Sequence, residues 1–212
     1  MKALAVLASV CLALTVSVKA ADSHADEAAI RARFTEFQAA LAKGDGEAAA
    51  ALVSKQTISY YGSILKLVLD GDEATVREQK PYRKMMVLLV RHGAPKLAIT
   101  NASEFFVFVV SQGLNVGSSG AGVGLGKITM DETMASAPMM VNGEATPANF
   151  FFSREGKDWK VELVAVLLRF DQLMAQKQKV SSLSEDEAII RTLEARSGRP
   201  VSKDIWKPLK DK

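Results

Sequence analysis

The sequence predicts an α+β chain: N-terminal helices packed on a four-stranded antiparallel meander, with an additional C-terminal helix. Three observations carry that expectation. Apolar residues recur at helical spacing through most of residues 26–112. Residues 117–126 then hold five of the fourteen glycines and end the pattern. Beyond them apolar and polar positions alternate, and Asn142-Gly143 between two such runs is a strong short hairpin signal. A chain of 212 residues suits one domain, or one domain with an appendage.

The first helix is predicted over 26–43, where Ile30, Phe34, Phe37 and Leu41 share one face. Ser23 or Asp26 would cap its start, and Gly44 would stop it. Asp45 opens a short helix from Glu47 to Val53. Ile58, Tyr61, Leu65 and Val68 keep helical spacing over 55–69, and Asp70-Gly71-Asp72 marks a turn. Asp72 caps a further helix that Pro81 interrupts. The stretch from Tyr82 to His92 contains an apolar run and predicts the most buried helix, closed by Gly93 and Pro95. Residues 101–112 fit a buried strand or a buried helix by pattern alone. Asn101 or Ser103 as a cap, with Gly113 as a stop, favours the helix.

Strands are predicted over 123–130, 133–141, 146–153 and 158–167, with a turn from Arg154 to Asp158. In the last of them Trp159, Val161, Leu163 and Ala165 alternate with Lys160, Glu162 and Val164, which assigns the first set to a buried sheet face. Pro138 and Pro147 belong at an edge, a bulge or a strand end. Residues 169–179 extend as a polar helix. Ser184-Glu185-Asp186-Glu187 is a capping box that opens a helix through Ile189, Ile190 and Leu193 to Gly198. The main domain is therefore expected over 26–170, and a C-terminal helical extension over 171–212. Trp206 and Leu209 are apolar anchors on that polar tail and candidate partner-binding residues.

Residues 1–20 have the parts of a secretory signal peptide: Lys2, an apolar run over 3–18, and Val18-Lys19-Ala20 before Ala21. The expected product is exported, periplasmic or secreted. Cleavage after Ala20 would remove Lys2, Lys19 and Cys11, leaving 25 Lys and Arg against 24 Asp and Glu. Such a near-neutral chain gives no electrostatic reason to bind nucleic acid. No later segment approaches ~18 consecutive apolar residues, so no transmembrane segment is expected after cleavage.

Two stretches carry a family resemblance. Ile30 to Val53 (IRARFTEFQAALAKGDGEAAAALV) gives a long helix, a Gly-Asp corner and a short helix; Phe150 to Leu163 (FFFSREGKDWKVEL) gives a closing hairpin. Together they resemble the nuclear-transport-factor-2-like superfamily, which includes polyketide-cyclase-like and ketosteroid-isomerase-like domains. The resemblance implies a cone-shaped α+β fold, and for some members isomerase, cyclase or hydrolase chemistry. Catalytic residues differ between its subfamilies, so it assigns a fold rather than an activity.

Few residues offer chemistry. The glycine run fails the phosphate-loop pattern, which needs Gly at 121 and Ser or Thr at 128, where the chain has Ala121 and Ile128. After cleavage the chain keeps His24 and His92 and no cysteine, which argues against a zinc site; no metal or cofactor is expected. Tyr60, Tyr61 and His92 are the candidate acid–base residues. Met130, Met134, Met139 and Met140 cluster on the first two strands, where adaptable side chains suit an apolar ligand. The expected function is an exported module that binds a small apolar ligand or a partner protein of the envelope. The alternative is an acid–base enzyme using Tyr or His.

Overall fold

The computed structural model describes residues 7–114, 122–179 and 182–211. Six helices lead: α1 (Leu7–Lys43), α2 (Gly46–Leu52), α3 (Lys55–Asp70), α4 (Glu73–Arg77), α5 (Pro81–Gly93) and α6 (Ala102–Ser111). The strands follow as β1 (Val123–Leu125), β2 (Thr129–Met130), β3 (Met134–Val141), β4 (Glu144–Glu155) and β5 (Asp158–Glu162). Helices α7 (Val164–Lys179) and α8 (Glu185–Ser197) and two short 3-10 turns complete the chain. The architecture is α+β. Among the described residues, no helix is long and apolar enough to cross a membrane.

Side-chain caps set most of the helix starts. Asp45, Ser54, Asp72 and Asn101 each accept a hydrogen bond from the backbone N–H three residues on, at 2.8–3.0 Å. Each such cap contributes about 1 kcal/mol. Ser184 and Glu187 form the reciprocal capping box of α8. Residues 102–111 are helical, and Phe105, Phe106, Val109 and Val110 form the buried stripe. That stripe packs on α2 and α3. At Gly46 a Cβ would lie 2.4 Å from the Val107 carbonyl oxygen, so any larger residue would push α2 off α6.

The sheet runs in the order β1-β3-β4-β5, all antiparallel, and β2 also pairs with β3. The strand expected over 123–130 is thus one edge strand broken in two. Gly126 still donates to the Pro138 carbonyl at 2.9 Å across the break. Asn142 and Gly143 both take positive φ, 52° and 84°, as a tight two-residue hairpin turn requires. The β3–β4 register shifts between Pro138 and Met140, so both prolines sit at a bulge.

Three expectations are corrected. Helix α1 does not begin at Ser23 or Asp26 but runs on from Leu7. Asp26 instead accepts from the Trp159 indole N–H at 3.0 Å and pairs with Arg154, tying α1 to the β4–β5 hairpin. The last strand stops at Glu162, not at residue 167, and helix α7 starts at Val164. Glu162, expected on the exposed face, is buried: its carboxylate accepts from Ser54 Oγ (2.5 Å), Thr57 Oγ1 (3.2 Å) and the Val164 N–H (2.9 Å). One side chain therefore holds the first turn of α3 against the first turn of α7. Helix α7 continues through residues 170 and 171. Within the glycine run, residues 117–121 lie outside the described residues.

Helix α5 is capped from outside its own segment. Lys80 makes no side-chain cap, Pro81 fills the first position, and the Tyr82 N–H donates to Asp171 Oδ1 at 2.7 Å. Asp171 Oδ2 is buried with no hydrogen-bond partner among the described residues. Burial raises its carboxyl above the ordinary value, opposed by the Tyr82 N–H and by Lys80 and Arg83, while Glu185 adds to the rise. A carboxyl raised in the folded state adds stability as pH falls through that raised value, completely so below the unfolded value of about 4. Asp171→Asn, which mimics the neutral acid, should melt roughly 2–4 °C above the parent at neutral pH. Melting curves should converge as pH falls toward about 4; a constant gap would contradict this.

Candidate functional site

A cavity of about 520 Å³ lies between α1, α6, α7 and the bulged end of the β3–β4 hairpin. Its size falls within the range of small-molecule pockets. Phe37 and Leu41 come from α1, Phe106 and Val110 from α6, Met139 and Phe150 from the sheet, and Val166, Leu167 and Phe170 from α7. The wall is mostly hydrocarbon and aromatic. Its polar side chains are Gln38, Tyr61, Asn149, Arg169 and Arg196, and no Asp, Glu or His stands among the described lining residues.

The lining follows from local structure. Phe37 and Leu41 sit one turn apart on the core-facing stripe of α1. Phe34, one turn earlier, meets Phe150 edge-on at 4.8 Å and closes that side. The bulge carries Ala148 and Asn149 to the cavity wall beside Phe150. Leu163, just ahead of α7, and Leu167 and Phe170 within it share one face because they fall at i, i+4 and i+7.

The candidate acid–base residues separate. Tyr61 lines the cavity and is almost fully buried; its hydroxyl lies 3.1 Å from the Tyr82 hydroxyl and its ring meets Phe106 edge-on at 4.9 Å. Burial pushes the Tyr61 phenol up to about 12, so it is a neutral hydrogen-bonding group at physiological pH. Tyr60 is half-buried outside the lining, under the Arg83 guanidinium. Burial is also the main reason its hydroxyl is raised. His92 ends α5, away from the lining, with Nε2 2.8 Å from Ser197 Oγ. Burial, with Arg199 nearby, lowers its imidazole below the ordinary value.

The methionines separate too, because alternate strand residues face opposite ways. Met139 lines the cavity, while Met140 lies over Gly124 and Gly126 of the edge strand. Met130 and Met134 border a second groove at the far end of β3, with Asp131 and Phe151. The tail anchors rest on the chain's own surface: Leu209 is buried, and the Trp206 ring lies 3.9 Å beneath the Arg77 guanidinium. Sequence reading did not single out Phe106, Phe150, Phe170, Arg169 or Arg196 as site residues. The helical spacing of Leu163, Leu167 and Phe170 was the available signal for α7.

The chain matches no family model, no curated protein and no solved structure.

Proposed function

We propose that the protein is an exported binding module that holds a small apolar ligand in the cavity between α1, α6, α7 and the β3–β4 hairpin. The observation that carries this reading is the cavity wall itself. Nine apolar side chains from α1, α6, the β3–β4 hairpin and α7 enclose it, with few polar groups to orient a guest. Burying apolar ligand surface there contributes roughly 25 cal/mol per Å² before the costs of association. The leader composition of residues 1–20 supports export. The two stretches that resemble the nuclear-transport-factor-2-like superfamily contribute Phe37, Leu41 and Phe150 to the wall, in keeping with a pocket-forming fold of that kind.

Nile red, a neutral apolar dye, is the probe for this reading. The folded chain should bind it at micromolar dye with a blue-shifted emission. Ala148→Trp places an indole in the cavity and should weaken binding at least tenfold, an effect of about 1.4 kcal/mol. Ala195→Trp, on the exposed face of α8, should bind like the parent. Equal dye binding by all three chains would place the dye elsewhere and sink the proposal.

An enzyme reading rests on one observation, the presence of Tyr61 in the wall. A phenol kept neutral could donate a hydrogen bond to a ligand oxygen, as an acid–base site on this fold would need. Tyr61→Phe separates the two readings. A binder keeps its Nile red affinity within a few-fold, whereas turnover of any substrate found for the parent would be lost.

A further inference from the structure

The cavity is apolar in its body and cationic in its remaining charge. Arg169 lies on α7 and Arg196 on α8, and these two consecutive helices each contribute one arginine to the cavity lining. Arg169 Nη1 donates to Gln172 Oε1 at 2.9 Å, and Arg196 Nη2 donates to the Gly113 carbonyl. Both partners are neutral. Among the described residues neither arginine makes an ion pair, whereas Arg31, Arg33, Arg77 and Arg154 each pair with a carboxylate. Each guanidinium has five N–H donors, so both retain donors beyond these contacts. With no described carboxylate in the wall, the site carries two uncompensated positive charges beside an aromatic and aliphatic chamber.

From this charge complementarity we propose that the ligand is an anionic amphiphile, a long-chain carboxylic acid. Its chain occupies the space among Phe37, Phe106, Phe150 and Phe170, and its carboxylate meets Arg169 and Arg196. The inference rests on the binding reading above and names the ligand class. A carboxylate accepts paired N–H bonds from a guanidinium in a geometry an alcohol cannot match, and such charge-assisted bonds are stronger than neutral ones. Arg196 is exposed, so part of the attraction is screened and falls as salt rises.

The test compares ligands of one chain length on the unaltered protein. Lauric and palmitic acids, and the corresponding primary alcohols, compete with Nile red in separate titrations at neutral pH. The acid is expected to bind about ten- to thirtyfold more tightly than its alcohol at low salt, with a smaller ratio at high salt. Arg169→Gln combined with Arg196→Gln should reduce that ratio to near one, by weakening the acid far more than the alcohol. Arg191→Gln, an exposed arginine of α8 outside the lining, should keep the parent's ratio. Acid and alcohol binding equally well to the parent would overturn the anionic ligand and leave the apolar cavity standing. A ratio unchanged in the double variant would also overturn it, by moving the carboxylate away from these two arginines. Displacement by neither compound, with Nile red unaffected by Ala148→Trp, would remove the binding reading itself.

Discussion

Arg91→Ala is expected to cost about 3–5 kcal/mol of folding stability and to release the C-terminal tail. The Arg91 side chain is buried at 1% exposure in the last turn of α5. Its Nε donates to the Val68 carbonyl at 3.1 Å, and Nη2 donates to the carbonyls of Leu67 (2.7 Å) and Gly71 (2.6 Å). Nη1 reaches those of Trp206 (2.8 Å) and Ile205 (3.4 Å). Three of these acceptors close the C-terminal end of α3, where helix carbonyls run short of N–H partners and the helix dipole favours a cation. The other two belong to the tail. Burial lowers the guanidinium to about 10, so it stays charged at neutral pH. Removing it strips these carbonyls of a buried donor; Leu67's keeps the Gly71 N–H at 2.9 Å, and each carbonyl left unpaired costs about 1–3 kcal/mol. Lysine, with one ammonium and three donors, cannot reach five carbonyls spread over two segments, so Arg91→Lys should recover little. Urea unfolding measures the loss, and tryptic cleavage after Lys203 should quicken. A variant within 1 kcal/mol of the parent, with an uncut tail, would contradict this account.

Glu162→Ala is expected to cost about 3 kcal/mol, through the loss of charge-assisted hydrogen bonds and the exposure of their donors to a dry site. Ser54 and Thr57 keep some satisfaction from each other, since Ser54 Oγ lies 3.1 Å from Thr57 Oγ1. The Val164 N–H, at the start of α7, is left without the carboxylate. Because α7 supplies one wall of the cavity, the same variant should also weaken Nile red binding. Glu162→Gln keeps an acceptor and should lose less in both measurements. Unfolding curves that put Glu162→Ala alongside the parent would show that the carboxylate does not hold the two helix starts together.

The helices were legible wherever a cap and a period coincided. Asp45, Asp72, Asn101 and Ser184 each mark a start that the structure keeps. Where signals overlapped, local pattern misled. Val161, Leu163 and Ala165 continue the alternation begun at Trp159, yet Leu163, Leu167 and Phe170 also satisfy a helical period. A hydrogen bond between Glu162 and a segment more than a hundred residues earlier decides between them, and no local window contains it. Ser23 and Asp26 look like caps but lie inside a longer helix, and Asp26 serves a tertiary contact with Trp159.

The cavity was less legible for the same reason. Its wall draws residues from α1, α3, α6, the β3–β4 hairpin, α7 and α8, and no short motif records that meeting. Of the residues singled out for ligand binding or catalysis, Met139 and Tyr61 line it. Arg169 and Arg196 read in sequence as ordinary surface charges on polar helices. Only their convergence on an apolar wall gives them a role.

The central claim is that this wall encloses a small apolar ligand, and native mass measurement tests it most directly. The chain should be recovered from the envelope or medium of its own host without denaturant, and Ala148→Trp recovered in parallel. The expected result is a bound small molecule on the parent that gentle organic extraction removes and that the variant lacks. A parent of bare polypeptide mass, or an adduct equally present on Ala148→Trp, would contradict the claim.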